Sequence, residues 1–165
     1  MTLKTFVAFL ITFIALGCAS KVAVQSKKWT EESIRQYLDD NKGKLEPIEG
    51  IYSVSSEKAY KLFGVTTPTK KNNDFARVAI LKNTESVSPE FIEYWLEGLD
   101  YRKYSKTAEF TRIQKSSSYL CKKTLPGADP TSYAFAYDDA AGSMDGVQKA
   151  NESSKLFYLK VYPAK

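Results

Sequence analysis

Ser132-Tyr133-Ala134-Phe135-Ala136-Tyr137-Asp138 alternates aromatic and small residues with a period of two. Successive side chains of an extended strand leave opposite faces, so this period puts Tyr133, Phe135 and Tyr137 on one face and Ala134 and Ala136 on the other. Three rings side by side favour burial. The stretch therefore predicts a strand at the wall of an apolar core.

The same texture runs through the chain from Gly50 onward, as short runs of Tyr, Phe, Val and Ile broken by Gly, Pro, Asn, Asp and Ser. It predicts further strands at Gly50–Ser56, Phe75–Lys82, Glu90–Leu96, Lys106–Ile113, Ser118–Thr124, Ser143–Lys149 and Lys155–Tyr162. Phe157, Leu159 and Val161 oppose Tyr158, Lys160 and Tyr162 in the last of these. Glu90–Leu99 also reads as a short helix beginning after Ser88-Pro89, and Gly64–Asp74 reads as a long polar loop. Short strands without helical crossovers form an antiparallel meander, which closes into a barrel or folds as a small sandwich.

One helix precedes the strands. Thr30 is suited to its N-cap, Glu31 and Glu32 to the positive end of its dipole, and Lys42-Gly43 to its terminus. Trp29 and Ile34 occupy the two positions of a hydrophobic staple. Ile34, Tyr37 and Leu38 share one stripe, which is expected to pack on the domain.

The segment Glu46-Pro47-Ile48-Glu49-Gly50-Ile51-Tyr52-Ser53 resembles the opening of the lipocalin or calycin pattern, in which a short helix precedes a first strand bearing Gly-x-Trp. Gly50, Ile51 and Tyr52 stand at the equivalent positions, with Tyr52 replacing the Trp. The segment also resembles one in Bacteroidetes lipoproteins. The resemblance implies a mainly β fold, an antiparallel meander closing into a small lipocalin-like barrel behind one N-terminal helix. It also implies a calyx for a small apolar ligand, with Tyr52, Tyr133, Phe135 and Tyr137 as its contacts. From the residues alone, an inward aromatic stripe is more often filled core than pocket lining.

At the start of the chain, Lys4 precedes an apolar run from Phe6 to Leu16 interrupted only by Thr12, the pattern of a secretory signal. This run is too short to span a bilayer. Ala15-Leu16-Gly17-Cys18 resembles a bacterial lipobox, which implies cleavage before Cys18 and acyl chains on its thiol. The expected organisation is a signal peptide at 1–17, a lipid-anchored tether at 18–28, and a single domain at 29–165. Two or more acyl chains hold a protein stably at a membrane. Ala19 after the cysteine and the lack of acidic residues before Glu31 resemble sorting to the periplasm-facing leaflet of the outer membrane. Cleavage after Gly17 or Ala19 without lipidation would give a freely secreted protein instead.

The formal charge of +5 is spread among mixed signs, and no nucleic-acid module signature is present, so no nucleic-acid partner is expected. The chain contains no histidine, which removes Ser-His-Asp and Cys-His pairs and histidine metal clusters. Its glycines do not fall in the spacing of nucleotide-binding loops. Asp39-Asp40 and Asp138-Asp139 read as solvated turns, because calcium loops need further spaced ligands. We therefore expect no metal, no cofactor and no catalysis. An acylated Cys18 would leave Cys121 without an intramolecular partner, and its strand-like surroundings predict burial. The expected function is binding of a small apolar ligand. The alternative is an envelope interaction or assembly module that uses a surface near Trp95 or the Gly64–Asp74 segment.

Overall fold

A computed structural model of the 165-residue chain describes residues 29–62, 65–98, 102–114, 116–125, 127–148 and 151–163. The expected signal peptide, Cys18 and the tether lie outside the described residues. One helix, α1 (Glu31–Asp40), comes first. Eight strands follow: β1 (Gly50–Leu62), β2 (Val65–Lys82), β3 (Phe91–Gly98), β4 (Lys106–Arg112), β5 (Ser118–Lys123), β6 (Thr131–Asp138), β7 (Ser143–Gln148) and β8 (Asn151–Tyr162). Each pairs antiparallel with the next and β8 returns to β1, closing the barrel. This is the small lipocalin-like architecture expected from the sequence, and the sandwich alternative is set aside.

The alternation in β6 has the predicted outcome. Tyr133, Phe135 and Tyr137 are buried in the interior while Ala134 and Ala136 face solvent. Each of the eight expected strands has a counterpart, and two expectations are corrected. Glu90–Leu99 is not a helix, because Phe91–Gly98 forms β3 between β2 and β4. Nor is Gly64–Asp74 a polar loop: β2 begins at Val65 and pairs with β1 as far as Leu62, in a hairpin longer than the barrel wall.

Helix α1 forms because its first turn is capped from both directions. Thr30 Oγ1 accepts from the Ser33 amide at 3.2 Å, and Ser33 Oγ accepts from the Thr30 amide at 2.8 Å. Ile34 and Leu38 are fully buried against Ile51, Ala79, Leu81 and Leu96, which point outward from β1, β2 and β3. Two apolar layers thus flank this part of the wall, one inside the barrel and one under the helix.

The segment between α1 and β1 closes one end of the barrel. Ile48 belongs to the interior cluster, and its carbonyl accepts from the Tyr52 hydroxyl at 2.7 Å. Buried Glu49 accepts from Tyr37 Oη, the Lys82 amide and the Glu46 amide, each at 2.9 Å. One carboxylate therefore joins helix, plug and strand, with its acceptors satisfied where water is excluded. Lys160 Nζ donates to the Pro47 carbonyl and lies over the rings of Tyr52 and Tyr137, at 5.6 and 5.4 Å from their centroids. At Gly50 a Cβ would approach the Tyr162 carbonyl to 2.6 Å, so the chain joins the barrel where only glycine fits.

Candidate functional site

Glu93 in β3 points into the barrel between Phe91 and Trp95 and is fully buried. An isolated carboxylate there would be strongly penalised, and three donors surround it. Lys123 Nζ donates to Oε1 at 2.6 Å, Thr107 Oγ1 to the same oxygen at 2.6 Å, and Tyr158 Oη to Oε2 at 2.7 Å. Lys123 also donates to Tyr158 Oη at 3.0 Å. The four side chains form a closed polar cluster inside an otherwise aromatic interior.

Strand geometry explains how they meet. Lys123 continues the inward parity of Tyr119 and Cys121 in β5. Thr107 is the extra residue of a β4 bulge, since Glu93 pairs with Ala108 and Tyr94 pairs with Lys106. A bulge re-aims a side chain, and here it turns a hydroxyl toward the carboxylate. Tyr158 connects the cluster to the aromatic stack, its ring lying 5.1 Å from Phe135 and 6.0 Å from Tyr52. Burial, reinforced by Glu93, holds the Tyr158 hydroxyl far above its usual pKa, so it remains a proton donor.

The four residues expected to contact a ligand all line the interior, at different depths. Tyr52 and Tyr137 lie under Lys160 at the plugged end. Phe135 sits deeper, with ring centroids 5.6 Å from Phe110 and 6.0 Å from Tyr133. Tyr133 lies at the other end, where the inner wall keeps slight access: Tyr133 is 9% exposed, Ser154 8%, Lys123 7% and Leu156 6%. Trp95, expected near an interaction surface, is instead 1% exposed and part of the interior. Its place between Val78 and the cluster satisfies a large apolar ring by burial.

Cys121 is buried and free, as its strand context predicted. Burial first, then Glu93, pushes its thiol well above the usual range, which suppresses the nucleophilic thiolate. Among the described residues, no three His, Cys, Asp or Glu side chains converge as metal ligands. A surface cleft of about 480 Å³ lies at the plugged end, between Glu46, Lys82, Asn83, Glu90 and Arg112. Its charges are mutually engaged: Arg112 Nη2 lies 2.9 Å and Lys82 Nζ 3.5 Å from Glu46.

Comparison with protein families, with curated proteins and with solved structures finds no match.

Proposed function

We propose that this protein is an exported lipoprotein, anchored through acyl chains on Cys18 at the periplasm-facing outer membrane, whose barrel binds a small apolar molecule without catalysis. The observation that carries this reading is a closed barrel lined with aromatic side chains, in which Tyr133, Leu156, Ser154 and Lys123 keep slight access at the end opposite Ile48 and Tyr137 keeps 6% at the plugged one. A ligand there meets apolar surface from Tyr133 and Leu156 beside a few fixed polar groups, the usual composition of a small-molecule site. Phe135, Tyr52 and Tyr137 support that surface from below.

Fluorescence titration with N-phenyl-1-naphthylamine tests the binding step. Emission enhancement that saturates, and that is lost when Leu156→Arg places a charge at this end, supports the reading; a flat titration of the folded protein overturns it. Intact mass of envelope-purified protein beside Cys18→Ala tests the anchor, with a diacyl or triacyl increment expected only on the wild type.

A second reading, an envelope interaction module, is favoured by the outer wall. Leu120 and Val147 align across Ala134 on strands outside the layer beneath α1, and Leu159 and Val161 are about half exposed on β8, which meets α1 at Tyr162. Crosslinking in intact cells that recovers a defined envelope protein, and fails with Leu120→Lys and Val147→Lys, would support it.

A further inference from the structure

We propose that Glu93 and Lys123 are the site of an intramolecular amide bond, formed by condensation of the two side chains inside the folded barrel. The geometry brings amine and carboxyl into direct contact inside a buried cluster. Nζ lies 2.6 Å from Oε1, Glu93 has no solvent exposure, and Lys123 has 7%. A separation of that size puts Nζ at about 3–3.5 Å from Cδ, the distance of a near-attack pair, and fixed orientation replaces the unfavourable encounter of two free groups.

The surrounding groups suit each step. Lys123 passes one proton to the carboxylate, giving a neutral amine and a neutral acid. The Nζ lone pair then attacks Cδ. Negative charge developing on Oε2 faces the Tyr158 hydroxyl already donating to it at 2.7 Å, the role of a preorganised oxyanion donor. Oε1 carries the proton received from lysine, accepts the Thr107 hydroxyl at 2.6 Å, takes a second proton from Nζ and leaves as water. The Cδ–Oε1 bond breaks, the Nζ–Cδ bond forms, and no electrons are exchanged with an outside reagent.

The product is neutral, which removes two desolvated charges from an apolar interior. It also fastens β3 to β5 across the intervening β4. Such a brace does not depend on thiol chemistry, in a chain whose described cysteine is buried and free.

Mass spectrometry of the full chain decides the matter. The wild type is expected to be lighter than its unlinked mass by one water, and trypsin should release a branched peptide joining the segments that carry Glu93 and Lys123. Lys123→Arg should show the unlinked mass. Glu93→Gln should lose ammonia in place of water and reach the same final mass as the wild type. Full mass with two separate linear peptides from folded wild-type protein means an ion pair only, and overturns the proposal whether or not either variant folds. This outcome is independent of ligand binding, so the two proposals fail separately.

Discussion

Gly146 in β7 lies directly opposite Phe135 in β6, and the phenyl ring occupies the space where a side chain at 146 would begin. A Cβ there would sit 2.3 Å from Phe135 Cε1 and 2.4 Å from Cζ. Phe135 has no easy retreat, since Phe110, Tyr133 and Tyr158 hold it from other sides. Gly146→Ala should destabilise the barrel by about 1–3 kcal/mol through overpacking. Urea denaturation followed by circular dichroism measures the loss, and Gly146→Ala combined with Phe135→Leu should be less destabilised than the two single changes summed.

The polar cluster predicts a non-additive pair. Lys123→Met leaves the Glu93 carboxylate buried with neither a cation nor the amide link, which should cost at least about 3–5 kcal/mol. Glu93→Leu with Lys123→Met removes both charges and should be about 2 kcal/mol more stable than the single lysine variant. Denaturant midpoints of the two variants give the difference. Equal midpoints would mean that an unpaired Glu93 carries no burial penalty in the barrel.

Alkali should unfold this protein sharply. Burial is the main cause that holds the Tyr52 and Tyr158 hydroxyls far above their usual range and raises Tyr137 to about 12. These pKa values are higher folded than unfolded, where tyrosine ionises near about 10. Their contribution is thus complete below that range and is lost as pH rises through it toward the folded values, because the unfolded chain releases protons first. Tyrosinate absorbance should show an early phase from exposed rings, then a late cooperative phase coinciding with loss of the β signal. Tyr52→Phe should weaken the late phase.

Acid acts on the surface ties. Glu46 is held below the usual carboxylate range by its hydrogen bond from Arg112, with Lys82 adding attraction. Its folded pKa is depressed, so its contribution is present above the unfolded value and disappears as pH falls through the folded one. Its partial exposure keeps the effect small. Glu46→Gln should flatten the acid side of the stability profile below about pH 4.5, with little change in the alkaline limb.

The barrel was legible because most inward positions obey the period-two rule, as β6 shows. β3 escaped it for a physical reason. Phe91, Glu93 and Trp95 face the interior while Ile92, Tyr94 and Leu96 face outward, where Tyr94 and Leu96 belong to the layer beneath α1. With apolar residues on both faces, alternation disappears and a helix becomes an equally good reading. The same inner-face parity places Glu93 and Lys123 inside. Composition argues for leaving charges in solvent, which is why the cluster was missed. Thr107 carried no sequence signal, because its direction depends on a bulge set by pairing with β3. The hairpin past Ser56 was hidden by lysines and asparagines, which are tolerable where strands extend beyond the core.

The sequence places Trp29 as one half of a staple with Ile34, and its ring contacts are broader. It packs edge-on against Tyr37 at 5.8 Å and lies 6.0 Å from Tyr94 of β3, so it binds the start of α1 to the barrel wall. Each aromatic pair adds about 0.5–1.5 kcal/mol beyond area burial, and a half-buried indole contributes more through its apolar surface. Trp29→Ala should therefore cost about 2–3 kcal/mol. Thr30→Ala should cost about 1 kcal/mol, because it removes only the cap. The two residues are neighbours serving the same helix end, so the double variant should lose less than the sum. Thermal melts of the three variants check this order. If Trp29→Ala melted no lower than Thr30→Ala, the tie between helix and wall would have to come from Ile34, Leu38 and the polar contacts of α1 with Glu49 and Arg77.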